Sequence, residues 1–110
     1  AYDSKFYELL PTQFPHAPTM KSMFEYNAAL CAAAGFRSGT LQGAYLIIAA
    51  RALGLAAGPM SGFVNEKVDA EFFPDGRFKS NFLVNLGYWD GTPPRPRGPR
   101  LTFEEQVQVL

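Results

Sequence analysis

Between Leu41 and Leu53 the sequence LQGAYLIIAARAL holds only two strongly polar side chains, Gln42 and Arg51. At roughly 100° per residue, their nine-residue separation puts them about half a turn out of phase. A helix over this stretch has no continuous polar face, and such a helix is buried on all sides. It does not read as a membrane span, because the uncharged run is too short and Arg51 interrupts it. Ser38 is a natural N-cap for this helix and Gly54 a natural C-terminal glycine. Gly39, Gly43, Ala50 and Gly54 fall along one side, where small residues let another helix come close. Plain core packing and a helix at the centre of a dimer both satisfy that pattern.

The remaining segments are short. The 110 residues make one domain's length and can bury only a small core. Pro11, Pro15 and Pro18 mark a turn-rich loop after a short extended or helical start. Thr19 can cap a helix from Met20, with Met23, Phe24, Leu30, Cys31 and Ala34 near helical spacing and Gly35 as its stop. After the apolar helix comes GPMSGF, Gly58 to Phe63, read as a loop with two glycines, one proline and no charge. Asn65 can cap a short helix, EKVDAEFF, which the turn Pro74-Asp75-Gly76 ends. NFLVNLGY alternates, with Phe82, Val84, Leu86 and Tyr88 on one face of a strand. No regular element fits GTPPRPRGPR, residues 91–100. Thr102 and Glu105 form a capping box for a helix expected to run to the C-terminus. About four helices and one or two strands are too few strands for a self-sufficient sheet. The fold therefore calls for more surface, from further sequence or from a partner. The uncapped opening at Ala1 reads as a start in mid-domain.

Composition removes several chemistries. Ten basic residues balance ten acidic ones, so no global field draws nucleic acid or an anionic membrane, and neither is expected as a partner. His16 and Cys31 are the only residues of their kinds, which rules out a zinc site of Cys and His ligands at motif spacing. A Ser-His-Asp triad would have to use His16, in a proline-rich loop that reads as exposed. Cys31, within ALCAAAG, reads as a buried, inert thiol. One cysteine and no basic-then-apolar start fit a cytoplasmic setting. Asp69 and Glu71 read as a solvated helix face. There is no P-loop and no G-x-G-x-x-G.

Any reaction would then rest on a bound cofactor. Two features suit one. The bare backbone of GPMSGF could lie against a flat ligand and donate N–H groups to an electron-rich ring atom, or it could be an ordinary helix-to-strand connection. Arg95, Arg97 and Arg100 suit phosphate, or form a solvated basic loop.

Four segments carry a resemblance: YDSKFYELLPTQFPH (2–16), FRSGTLQGAYLIIAARALGLAAGPMSGF (36–63), FKSNFLVNLGY (78–88) and PRLTFEE (99–105). Together they resemble the C-terminal half of the flavin-dependent nitroreductase family, most of all its malonic semialdehyde reductase branch. The likeness covers nearly the whole chain, and its specificity lies in the motif order and the long central block. It implies an α+β fold, a mixed sheet flanked by helices, in an interlocked homodimer with one FMN at each of two interface sites. Residues 1–110 would be the C-terminal part of that single domain, with the N-terminal half, which carries an arginine-rich phosphate motif and a flavin-facing asparagine, absent from this chain.

The resemblance also assigns residues. Pro59, Met60, Ser61 and Gly62 match the segment at the flavin N5 and O4 edge, with the backbone role carried to Ser61 and Gly62. Many family members have an acidic residue where this chain has Ser61. Arg100 matches the phosphate contact before the last helix; Gly98 stands where a second basic residue is frequent, which makes Arg97 its substitute. The implied reaction passes hydride from NAD(P)H through flavin N5 to a small acceptor: an aldehyde acid like malonic semialdehyde, a nitroaromatic or a quinone. It needs no catalytic side chain. Phe24 and its neighbours in 20–27 would line the substrate side. The alternative is a non-catalytic flavin-binding or dimerisation module of the same fold.

Overall fold

The computed structural model of the chain describes residues 1–93 and 95–110. Its centre is one 25-residue helix, α3, Ala28–Ala52. Asn27 starts it: Oδ1 accepts the Leu30 N–H at 3.0 Å and satisfies one orphan donor of the first turn. Gly54 ends it, as expected, at φ +82°. The Leu55 and Gly54 N–H groups donate back to the Ala50 and Arg51 carbonyls at 3.0 and 3.1 Å, a Schellman close that suits glycine.

The expected stop at Gly35 and N-cap at Ser38 are corrected, since α3 runs through both. The expected helix from Met20 instead breaks early. Met20–Glu25 form a separate helix, α2, and Asn27 begins the next one. Gly35 is glycine for space. A Cβ there would lie 2.8 Å from Tyr2 Cδ2, and one on Gly39 would lie 3.0 Å from Tyr2 Cβ. A Cβ on Gly43 would overlap the Phe82 ring. Of the two readings of the small-residue side of α3, the structure shows packing within the chain: Gly39 and Gly43, with Gly35, receive two aromatic side chains of their own chain. Gly54 stands outside this groove.

Tyr2 and Phe82 bring strands with them. Tyr2–Asp3 (β1) pairs antiparallel with Phe78–Lys79 (β3), and Ala56–Met60 (β2) pairs antiparallel with Leu83–Gly87 (β4). Helices beside these strands make an α+β fold. Among the described residues the strands number four, in two separate sheets, where one or two were expected. Gly58, Pro59 and Met60 are therefore strand rather than loop. Pro59 fixes the ladder phase. Having no N–H, it must occupy a non-hydrogen-bonded pair, opposite Val84. The hydrogen-bonded pairs are then Gly58 with Asn85 and Met60 with Leu83. β4 lies within the segment whose alternation predicted a strand; Phe82 and Val84 share a cleft with Gly43 and Leu46 of α3, while Leu86 and Tyr88 of the same expected face are exposed. Asn81 fastens the same approach, donating to Thr40 Oγ1 at 2.8 Å and the Phe36 carbonyl at 3.3 Å.

Smaller elements complete the chain. A 3-10 turn, Phe6–Leu9, leads into α1, Leu10–Gln13, with Pro11 in its first turn. Asn65–Phe72 form α4, and Gly76 closes the following turn at φ +70°. Asn65 is its first helical residue and not its cap, because its amide is engaged with Ser80. Arg77 ties the N-terminus to this turn, reaching Asp3 Oδ2 and Glu8 Oε2 at 3.0 Å each. Residues 91–93 and 95–100 have no regular structure, as expected; Pro94 lies outside the described residues. The Thr102–Glu105 capping box is present, but its helix α5 covers only Phe103–Gln106. Val107 is already extended, since a single turn without packed neighbours does not propagate.

Little of this is buried. The apolar residues that qualify are Leu10, Cys31 and Ala50. The radius of gyration is 18.1 Å, against about 13 Å for a compact domain of this size. The accessible surface is 8939 Å², against roughly 6,000 Å² for a folded monomer of 12.1 kDa. Leu41, Tyr45 and Ile48, at i, i+4 and i+7 on the outer side of α3, are 59%, 74% and 64% exposed. The expectation of missing surface is met by the structure.

The groove yields a test. Gly43→Val should lower stability by about 1–3 kcal/mol relative to Ala44→Val, one residue along on the exposed side. Without a clash Gly43→Val would be the milder change, since it also removes a helical glycine that costs about 1 kcal/mol against alanine, so a lower urea midpoint for Gly43→Val than for Ala44→Val reports the clash with Phe82. A Gly43→Val midpoint above that of Ala44→Val would show that Phe82 does not fill the groove.

Candidate functional site

The six residues singled out lie in two places. Pro59 and Met60 end β2, Ser61 and Gly62 follow it, and all four are exposed. Among the described residues, neither the Ser61 nor the Gly62 N–H is spent on a hydrogen bond within the chain. The Phe63 N–H donates to the Ser61 carbonyl at 3.0 Å and tightens the exit from the strand. Neither Gly58 nor Gly62 has a positive φ. A Cβ on Gly62 would meet nothing within 4 Å, and one on Gly58 would meet only Asn85 Cβ at 3.9 Å. The fold of this chain therefore does not itself require glycine at either position. Open space beside unspent N–H donors is what a flat, electron-rich ligand needs, so the donor set fits a flavin edge.

Arg97 and Arg100 lie on the irregular segment before α5, both exposed. Arg100 Nη1 donates to the Gly98 and Pro99 carbonyls at 3.1 and 3.2 Å, which curls its guanidinium over its own loop. Neither forms an ion pair among the described residues. Both guanidinium groups are available to an anion. Four clefts among the described residues of this chain are lined by neither group of candidates.

The clefts it does form are elsewhere. One of about 280 Å³ is bordered by Tyr7, Phe24, Glu25, Cys31 and Lys79. Cys31 is buried there, its Sγ–H donating to the Ser4 carbonyl at 3.3 Å. Burial first, then the nearby Asp3 charge, pushes the thiol pKa up, so it stays protonated and inert at neutral pH. His16 is exposed and stacks edge-on against Phe14. No group of His, Cys, Asp and Glu among the described residues could hold a metal ion. No helix among them is long and apolar enough to cross a membrane.

One cluster escaped the sequence reading. Asp69 does not belong to a solvated face. Its Oδ1 accepts the Ser80 N–H at 2.7 Å, and Asn65 Nδ2 donates to the Ser80 carbonyl and Oγ at 3.0 and 2.8 Å. Asn65 and Asp69 stand at i and i+4 on α4, so one helix face holds both partners of a single serine. That spacing was visible in the sequence, but Ser80 as the shared partner was not.

No family model matches the chain. Close relatives nonetheless exist, and five of them carry the provisional name NADH dehydrogenase/NAD(P)H nitroreductase. A protein of Rhodopseudomonas palustris is 57% identical over 110 residues, all of this chain and 56% of its own length. One of Xanthomonas oryzae pv. oryzae is 60% identical over 108 residues, 98% of this chain and 55% of its own. One of Ralstonia nicotianae is 54% identical over 110 residues, all of this chain and 56% of its own. The chain thus spans little more than half the length of the relatives it matches. It is an α+β chain homologous, from end to end, to part of these nitroreductase-named proteins, in agreement with the likeness to half of a nitroreductase-family protein.

The Ser80 hydrogen bonds hold the Asp69 carboxyl below the ordinary carboxylate range. A depressed folded value means that the contribution is full above the unfolded value of about 3.9 and is lost as pH falls through the lower folded one. Asp69→Ala should therefore lower the urea midpoint at neutral pH, and the gap from the parent should narrow below about pH 4. A gap independent of pH would remove the ionised carboxylate from the account.

Proposed function

We propose that the protein carrying this chain is an NAD(P)H-dependent, FMN-containing oxidoreductase acting on a small acceptor. The observation that carries the reading is identity of 54–60% over essentially the whole chain to proteins named NAD(P)H nitroreductases. The geometry at Ser61 and Gly62 supports it. FMN, when bound, supplies the ring that takes hydride from the nicotinamide and delivers it to the acceptor.

The chain's own residues have holding roles. The Ser61 and Gly62 N–H groups donate to the electron-rich edge of the ring and favour the charge that reduction puts there. Pro59 and Met60 fix the approach by their pairing in the β2–β4 ladder. Ser61 offers a hydroxyl where many family members have a carboxylate, so it adds no charge to the ring edge. Arg100 leaves its own loop carbonyls for the phosphate, with Arg97 beside it in sequence. The acceptor is a small aldehyde acid of the malonic semialdehyde kind, a nitroaromatic or a quinone. A homodimer belongs to this reading through the family resemblance; the surface excess of roughly 3,000 Å² leaves room both for a partner subunit and for the further length that the relatives have. The outer apolar side of α3 is the part of this chain best suited to that interface.

A visible spectrum tests the reading. The full-length gene product should carry the flavin band and bleach with NADH or NADPH. A band that does not bleach would make it a binding module, and a colourless protein that takes up no added FMN would sink the reading. Arg100→Glu should weaken FMN about tenfold or more while leaving riboflavin, which lacks the phosphate, unchanged. Equal loss for both ligands would take Arg100 off the phosphate.

Gly62 gives an independent test. Gly62→Val should cost flavin affinity by about tenfold or more without changing the unfolding midpoint of the flavin-free protein, because nothing in the chain lies within 4 Å of the added carbon. A lowered midpoint with flavin affinity retained would give Gly62 a purely structural role.

A further inference from the structure

The segment from Ser61 to Val64 is held at both ends by the same stretch of chain. At its start, Met60 is hydrogen-bonded opposite Leu83 in the ladder. At its end, Asn65 Nδ2 donates to the Ser80 carbonyl and Oγ at 3.0 and 2.8 Å, and Ser80 Oγ can return a bond to the Asn65 carbonyl at 3.4 Å. Ser80 itself cannot drift, because its N–H is taken by Asp69 Oδ1 at 2.7 Å, one turn further along α4. Four residues are thus suspended between two anchors that stand only three residues apart, at 80 and 83. Sliding the segment along β4 would break the ladder pair at one end or the amide–serine bonds at the other. Its outward side stays open, with nothing near Gly62.

We infer that Asn65 and Ser80, braced by Asp69, are positioning residues that set the height of the Ser61 and Gly62 N–H groups against the ligand. The inference rests on the flavin reading of that segment. A backbone donor aimed at a ring atom is effective only within a few tenths of an ångström and a narrow angle. A loop fixed at one end alone would lose that aim through its own conformational freedom. None of the three residues touches the ligand. They act through the backbone between the anchors.

The experiment compares Asn65→Asp, Ser80→Ala and Ser80→Thr with the parent in the full-length gene product. Asn65→Asp keeps the size but removes the donor and turns a carboxylate oxygen toward the Ser80 carbonyl. Ser80→Thr keeps Oγ and serves as the conservative rescue. The readouts are titrations with FMN and with riboflavin, the visible circular dichroism of the bound flavin, and the unfolding midpoint without flavin. Asn65→Asp should weaken FMN and riboflavin alike by about fivefold or more, because the loss is at the ring and not at the phosphate. The flavin dichroism should change with it. Ser80→Ala should follow more mildly, and Ser80→Thr should stay near the parent. Should Asn65→Asp fail to fold, Ser80→Ala against Ser80→Thr decides the matter. A parent that binds flavin, with Asn65→Asp and Ser80→Ala matching it in affinity and dichroism, overturns the positioning role while leaving the flavin reading intact. Weaker binding with unchanged dichroism and a lowered flavin-free midpoint also overturns it, as the residues would then serve stability alone. A parent that binds no flavin overturns the reading and this inference together.

Discussion

Two aromatic rings lying in a glycine groove hold this fold together. Tyr2 occupies the part of α3 opened by Gly35 and Gly39, and Phe82 the part opened by Gly43. Each ring belongs to a strand or its approach, so the helix carries one two-stranded sheet at each station. With Leu10, Cys31 and Ala50 the buried apolar residues among those described, few other contacts could substitute. Three glycines within a helix are costly for its backbone, about 1 kcal/mol each relative to alanine. That cost is offset where the tip of the Phe82 ring and the edge of the Tyr2 ring gain close contact that a Cβ would block. The groove also explains why α3 continues through residues that would otherwise signal its end.

The polar contacts repeat this logic on a smaller scale. Asn81 binds α3 beside the Phe82 ring, Arg77 binds Asp3 and Glu8 beside the Tyr2 ring, and Ser80 binds two residues of α4. These partners are consecutive or nearly so in the segment 77–82. A single stretch of chain therefore ties the N-terminus, both long helices' neighbours and the exit of β2 to one another. A residue change there reaches the candidate site without touching it.

How far the sequence could be read follows from which signals are local. The Gly54 close, the Pro74–Gly76 turn, the Thr102 capping box and the strand signal of β4 depend on neighbours within a few residues, and each stands as expected. Most of the failures depend on a distant partner, although the break after α2 is local, since Asn27 caps α3 through Leu30. Gly35 and Ser38 carry end-of-helix chemistry, yet nothing in a one-dimensional sequence says that Tyr2 will need the space. Asn65 is a good cap by type, but Ser80 competes for its amide and wins. Gly58 to Met60 lack the β-branched residues of a typical strand, and only pairing with Leu83–Gly87 makes them one. At the site, the bare backbone after β2 and the arginines before α5 were legible as residue types. Their meeting around one ligand, as proposed, was not, and none of the clefts described in this chain is lined by either group.

The position of Pro59 has a consequence beyond ligand approach. Because Gly58 and Met60 turn their backbone groups toward β4, Pro59 turns its nitrogen toward the opposite edge of β2. A strand arriving at that edge from another molecule would find a missing donor in mid-ladder, with a ring in the way. Strand edges with unpaired backbone groups are templates for unwanted sheet growth, and proline is one of the residues that disarm them. The same residue that stiffens the strand leading to the candidate site also protects the molecule from sheet-to-sheet aggregation along it.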